Sequence, residues 1–290
     1  MDEWVSRLID GALAEDIGPG DLTAAYFIPP ERRVRAFVVA RAEGCLAGTE
    51  VAAEVFRRVD PELDVQVILR DGSRVTDGAH VMVVEGFARG ILSAERTALN
   101  FLQRLSGVAT LTRRYVAEVN GTKTRILDTR KTTPGWRALE KQAVVAGGGT
   151  NHRLGLYDRV MVKDNHLVAE RDLNRLQVSI RRLKAEHPGV EVELEADRLD
   201  QVKDFLGLEA VDYILLDNMS FAEMCEAVKM RGQSASPRFE ASGGVTLERI
   251  SEIAATGVDF ISVGALTHSA AALDLGLDFT APEDRPAGSD

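Results

Sequence analysis

The sequence predicts an α/β protein in which an α+β region precedes a (β/α) barrel. Two observations carry this. After Asn120, six short apolar runs alternate with helical patterns: Ile126–Leu127, Arg159–Val162, Val190–Leu194, Tyr213–Leu216, Phe239–Ala241 and Phe260–Val263. Patterns such as Arg171–His187, Phe221–Arg231 and Leu247–Thr256 lie between them, and strand-helix alternation of this kind builds a parallel sheet with helices outside it. The units recur at intervals of roughly 20 to 35 residues, which suits a barrel. A dinucleotide fold would need a Gly-rich fingerprint after its first strand, and none follows Leu127.

In chain order, Trp4, Val5, Leu8, Ile9, Ala12 and Leu13 form a helical stripe over Trp4–Ala14. The turn-rich EDIGPGDLTAAYFIP after it reads as a loop. Val34–Ala40, Val65–Leu69 and Val81–Glu85 read as strands, with a helix over Glu50–Arg58. Ile91–Val119 is the longest helical pattern, interrupted by Gly107, and links the α+β region to the alternating segment.

Composition bounds the rest. The chain has 290 residues, 45% hydrophobic and 28% charged, enough for two domains or a barrel with additions. A net charge of −10 excludes the broad basic surface that nucleic acid requires. Cys45 and Cys225 stand alone, with neither a disulfide framework nor zinc-type spacing, as suits a reducing cytoplasm. The start MDEWVSRLIDGALAED is acidic and amphipathic, and no apolar run approaches the ~18 residues that span a bilayer. A soluble cytoplasmic protein is expected.

Against that acidic background, Leu127–Asn165 carries seven Lys and Arg against four Asp and Glu, a local charge of +3. Arg130 and Lys131 follow one apolar run, Lys163 closes another, and Gly147–Gly149 precede Asn151, His152 and Arg153. Solvated helical faces mix acids and bases at i,i+4; these cations sit beside Thr, Pro and Gly at element boundaries. Backbone that permits close approach, followed by charged donors, fits carboxylates or phosphates.

Barrel enzymes collect their chemistry at the C-terminal ends of strands. Here those ends supply Asp128 and Arg130, Lys163, Glu193 or Glu195, Asp217, Ser242 and Gly264. Glu191, Glu193 and Glu195 share one face of their strand, an arrangement that is costly inside a barrel without cations or metal nearby. Ser242-Gly243-Gly244 and Val263-Gly264-Ala265 occupy the last two loops, where barrels often grip phosphate.

These residues resemble the quinolinate phosphoribosyltransferase family, through ALAEDIGPGDLT, ERTALNFLQRLSGVAT, TRKTTPGWR, GGGTNHRLGLYD, VKDNH, VEVE, LLDN, ASGG and SVGALTHS. The resemblance covers nearly the whole chain. It implies a partly open (β/α) barrel with an N-terminal α+β sandwich. The expected boundaries are 1–112 for the sandwich and linking helix, 113–270 for the barrel, and 271–290 for a segment that returns to the first domain before a disordered tail.

The activity it implies is transfer of phosphoribose from phosphoribosyl pyrophosphate to quinolinate with Mg²⁺, releasing pyrophosphate and carbon dioxide and leaving nicotinate mononucleotide. No organic cofactor is implied. Arg96, Arg130, His152, Arg153 and Lys163 would bind quinolinate. Lys131 would lie toward the phosphoribosyl group, and Glu193 and Asp217 would face the ribose and Mg²⁺. Lys131, Lys163, Glu193 and Asp217 form the implied catalytic set; Ser242, Gly243, Gly244, Gly264, Ala265 and His268 complete the substrate contacts. The resemblance also implies a homodimer in which Arg96 completes the partner's site. Trp136 stands where a smaller apolar residue is commoner, which bears on pocket shape. Rival readings are a paralogue from molybdate-uptake operons, an enzyme acting on a monocarboxylate such as nicotinate, and a non-catalytic anion-binding barrel.

Overall fold

The computed structural model describes residues 2–163 and 172–280. Asp164, Asn165 and His166 of the VKDNH motif, and the tail from residue 281, lie outside the described residues. The chain divides into two compact units: residues 1–111, 134–148 and 270–290 form the first, and 112–133 with 149–269 the second. No helix among the described residues is long and apolar enough to cross a membrane.

The first unit is built on an antiparallel sheet in the order β12-β1-β5-β3. Its strands are β1 (Arg33–Ala40), β3 (Asp64–Val67), β5 (His80–Phe87) and β12 (Leu275–Phe279). β2 (Gly44–Cys45) and β4 (Arg74–Val75) pair separately. Helix α1 (Glu3–Ile17) starts at Asp2, whose carboxylate accepts the Trp4 N–H. The expected loop after it contains a short helix, α2 (Leu22–Phe27). Asp21 is the cause: its side chain accepts the Ala24 N–H at 2.9 Å, a cap that outweighs the neighbouring glycines.

Helix α3 spans Thr49–Val59, and the long pattern forms an unbroken helix α4, Ala88–Glu118. Gly107 does not interrupt it, because its role is proximity: a Cβ there would lie 2.0 Å from the Ala271 carbonyl oxygen. Helix α5 (Arg137–Ala146) belongs to the first unit although it falls between barrel strands in sequence. Trp136 at its start stacks on Phe101, with ring centroids 4.7 Å apart.

The second unit contains a six-stranded parallel sheet in the order β6-β11-β10-β9-β8-β7. The strands are β6 (Arg125–Leu127), β7 (Arg159–Val162), β8 (Glu191–Ala196), β9 (Tyr213–Asp217), β10 (Arg238–Ser242) and β11 (Phe260–Ser262). β6 and β7 are its edges and do not pair among the described residues; Leu127 instead bridges to Thr150. The barrel is therefore partly open. Tyr213–Leu216 are buried throughout, as a strand covered on both faces requires. Helices α6 (Leu173–Glu186), α7 (Leu199–Leu206), α8 (Phe221–Arg231), α9 (Ile250–Ala255) and α10 (Ala265–His268) complete the unit. The pattern over Leu247–Thr256 opens with a 3₁₀ turn, Leu247–Arg249, before α9. Ser220 caps α8 through a capping box with Glu223.

The N-terminal ends of the strands are closed by charge stacked on an aromatic ring. Tyr213 lies between the guanidinium groups of Arg159 and Arg238, each 4.2 Å from its centroid. Its hydroxyl donates to Glu191 at 2.9 Å, and burial raises its pKa to about 12. Arg159 and Arg238 also pair with Glu191 at 2.7 and 3.2 Å. Glu191 is thus satisfied at the end of the barrel away from the strand C-termini.

Candidate active site

At the opposite ends of the strands, all within the second unit, residues converge on a cleft of about 510 Å³. The loop after β6 contributes Thr129, Arg130 and Lys131; His152 and Arg153 come from the segment before β7. Met161, Lys163, Glu195, Leu215, Asp217 and Asn218 line it from β7, β8 and β9. Glu240, Ser242, Gly243 and Gly244 enter from β10 and the loop beyond, and Ser262 from β11.

One side is cationic. Arg153 is 8% exposed, and its guanidinium donates to the Arg159 carbonyl at 3.2 Å and contacts the Met161 sulfur at 3.6 Å. Burial, and then the charge of Arg130, depress its pKa from the usual arginine range. Like charges held together in a partly desolvated cleft are relieved by an anion, and planar guanidinium groups can grip a carboxylate through two parallel hydrogen bonds.

His152 is fixed from three directions. Its backbone N–H donates to Asp128 at 2.8 Å, and its Nδ1 accepts the Arg153 N–H at 2.7 Å. Its Nε2 lies 3.1 Å from Glu193 and 3.3 Å from Glu240. Burial alone would lower the imidazole pKa, but the two carboxylates outweigh it and draw it upward. The Arg153 amide acts the other way, because it needs an unprotonated Nδ1. The two pull in opposite directions, and the 2.7 Å contact at Nδ1 decides: the ring is held neutral, with its one proton on Nε2 facing both carboxylates. Burial, reinforced by Glu240, lifts Glu193 to about 7. Glu240 titrates below the ordinary carboxylate range: its burial opposes this, but hydrogen bonds from His152 and Ser262 prevail.

The acidic side is β8 and β9. Glu195 accepts from Lys163 at 3.2 Å. Asp217, at the last position of β9, accepts from the side chain of Asn218 at 2.9 Å, and Asn218 adopts a positive φ of 54°. Gly243, at φ 92°, must be glycine twice over, since a Cβ would also lie 2.2 Å from the Asn218 side-chain oxygen.

The structure brings together Arg130, Lys131, His152, Arg153, Lys163, Asp217, Ser242, Gly243 and Gly244 around one cleft. Glu193 is placed differently. It is fully buried, pairs in register with Met161 and Tyr213 at mid-strand, and does not line the cleft. Glu195, two residues nearer the strand's C-terminus, occupies the position expected of Glu193. Gly264 approaches Lys131 closely, since a Cβ there would lie 3.1 Å from Lys131 Cδ and 3.2 Å from His268 Nε2. Gly264, Ala265 and His268 therefore adjoin the cleft through Lys131, and Thr267 donates to the Lys131 carbonyl at 2.8 Å. Arg96 is exposed on α4 in the first unit. Trp136, also in the first unit, is not a lining residue. Sequence reading did not single out Glu240 and Ser262; both sit in apolar runs where they pass for ordinary alternating strand residues.

Two family models match almost end to end: the quinolinate phosphoribosyl transferase N-terminal domain over residues 21–106 and the C-terminal domain over 108–278. The chain belongs to the quinolinate phosphoribosyltransferase family. It is 42% identical to the nicotinate-nucleotide pyrophosphorylase [carboxylating] of Mycobacterium leprae, over 92% of this chain and 94% of that one. Identity to the probable enzyme of the same name from Synechocystis is also 42%, covering 96% and 92%. The nicotinate-nucleotide pyrophosphorylase structure from Francisella tularensis superposes with a TM-score of 0.88 at 38% identity, covering 96% of both chains. Members named for this transfer share both the barrel and the antiparallel N-terminal sheet, so the quinolinate phosphoribosyltransferase fold accounts for the two units described above.

Proposed function

We infer that the protein is a decarboxylating quinolinate phosphoribosyltransferase, a pentosyltransferase that forms nicotinate mononucleotide in NAD biosynthesis. The observation that carries the reading is one cleft with clustered cations on one side and carboxylates on the other, in a chain that matches this family along its length.

Quinolinate presents two adjacent carboxylates, and Arg130, Arg153 and Lys163 supply the cations that hold them and orient the ring. The ring nitrogen then approaches the anomeric carbon as pyrophosphate departs. Positive charge develops on the ribose, which Asp217 and Glu195 stabilise from the strand ends. Negative charge grows on the leaving group, which Lys131 and the backbone around Ser242–Gly244 receive. Ribosylation makes the ring nitrogen cationic, so it stabilises the electron pair left on the adjacent carbon when the bond to the carboxylate breaks and carbon dioxide leaves; that carbon then takes up a proton from water. No organic cofactor is needed for that step.

Mg²⁺ suits the rim of this site. Asp217 and Glu195 offer hard oxygen donors, and Mg²⁺ favours octahedral sites shared with phosphate oxygens and water over closed protein cages. Bound with phosphoribosyl pyrophosphate, it would neutralise charge on the departing pyrophosphate. His152, Glu193 and Glu240 also lie close enough together to hold an ion, but they are buried and away from the rim where the phosphate oxygens of the donor would share it. A homodimer in which Arg96 completes the partner's cleft, and a cytoplasmic setting, belong to the same reading.

The test is acceptor choice. With phosphoribosyl pyrophosphate and Mg²⁺, quinolinate should be consumed and nicotinate left untouched; comparable turnover of nicotinate would show that the cations do not select a dicarboxylate.

A further inference from the structure

His152 is hydrogen-bonded at one ring nitrogen and closely approached by two carboxylates at the other. Nδ1 accepts the Arg153 N–H at 2.7 Å, and Nε2 faces Glu193 and Glu240 at 3.1 and 3.3 Å. Glu240 is in turn held by the Ser262 hydroxyl. A chain of contacts therefore runs from β11 through β10 to His152 and on to β8.

This chain is ill suited to attracting substrate. Two buried carboxylates, Glu240 at the wall of a cleft for anions and Glu193 behind it, repel what the cleft must bind, and burying them costs free energy unless each has a partner. Their geometry suits another task. Bracketing Nε2 from two strands confines the proton to that nitrogen and fixes the plane of the ring. Nδ1 keeps its lone pair for the Arg153 amide. With the His152 amide bound to Asp128, two successive backbone N–H groups are then pinned, and these set where the Arg153 side chain leaves the chain.

We propose that Glu240, anchored by Ser262, is a positioning residue for the transfer reaction: acting through the tautomer and orientation of His152, it aims the Arg153 guanidinium into the cleft. The proposal rests on the quinolinate reading above. It also gives His152 a role different from direct capture of a substrate carboxylate, since Nδ1 accepts from the Arg153 amide and Nε2 faces two carboxylates.

The experiment uses the full chain and combines kinetics with ¹⁵N-histidine NMR, the His152 signals being assigned with His152→Asn. In the wild type at neutral pH, His152 should show the tautomer protonated on Nε2. Glu240→Leu, which cannot accept a hydrogen bond, should raise KM for quinolinate about tenfold, the scale of one lost buried hydrogen bond. Its kcat and its KM for phosphoribosyl pyrophosphate should change little. Glu240→Gln, whose amide oxygen can still accept from Nε2, should restore wild-type KM. If Glu240→Leu does not fold, Ser262→Ala takes its place and should raise the quinolinate KM in the same selective way. A wild-type His152 protonated on Nδ1, or a folded Leu or Ala variant with unchanged quinolinate KM, overturns the proposal. A wild type that binds no quinolinate and shows no turnover would overturn the functional reading instead, while the NMR result would still report on the tautomer.

Discussion

At the scale of single residues, the two sides of the cleft make separable predictions. Arg130→Ala and Arg153→Ala should each weaken quinolinate binding strongly, because stranding a buried carboxylate costs ~3–5 kcal/mol. Calorimetric titration checks this, and wild-type affinity in either variant would remove that cation from the acceptor site. Glu193 makes a prediction about pH. Its folded pKa is about 7 against an ordinary 4.5, so between those values the folded state holds a proton that the unfolded state has released. Stability therefore falls as pH rises through this window and is not regained above it, the reverse of the usual paired carboxylate. Melting temperatures should show Glu193→Gln gaining on the wild type as pH climbs from about 5 to about 8; a constant difference would mean that Glu193 is already ionised at the lower end. These properties were only partly legible. Glu191, Glu193 and Glu195 share a strand face and look equivalent in sequence, and only depth along the barrel separates an ion-pair partner of Arg159 and Arg238, a buried neighbour of His152 and a lining carboxylate.

At the scale of elements, all six parallel strands and the long α4 were legible because each is announced by an apolar run or stripe. What escaped was decided by one side chain or by tertiary contact. Asp21 creates α2 inside a turn-rich stretch through a single cap. Helix α5 follows β6 in sequence yet belongs to the first unit, a choice that local periodicity cannot express. Gly107 reads as a helix interruption but is a contact surface for the chain at Ala271. Gly107→Ala should therefore destabilise the protein, although alanine is the better helix former by ~1 kcal/mol. Differential scanning calorimetry should record a lower melting temperature; a higher one would mean that the Ala271 segment gives way without cost.

At the scale of the whole molecule, the chain-length match to both family models joins the two units to a single activity. Arg96 lies in the first unit, and the proposed dimer has it serve the partner's cleft. Reciprocal exchange about a two-fold axis permits a mixing test with inactive Arg96→Ala and Arg130→Ala chains. Exchange should regenerate one intact site per mixed dimer and restore part of the activity; no recovery despite proven exchange would place Arg96 in its own subunit's site. The central claim, that one cleft both ribosylates and decarboxylates quinolinate, is tested most directly with quinolinate carrying ¹⁴C in the carboxylate next to the ring nitrogen. Incubated with the protein, phosphoribosyl pyrophosphate and Mg²⁺, it should release labelled carbon dioxide in step with nicotinate mononucleotide and none when phosphoribosyl pyrophosphate is left out. Release without phosphoribosyl pyrophosphate, or a ribosylated product that keeps its label, would contradict the account.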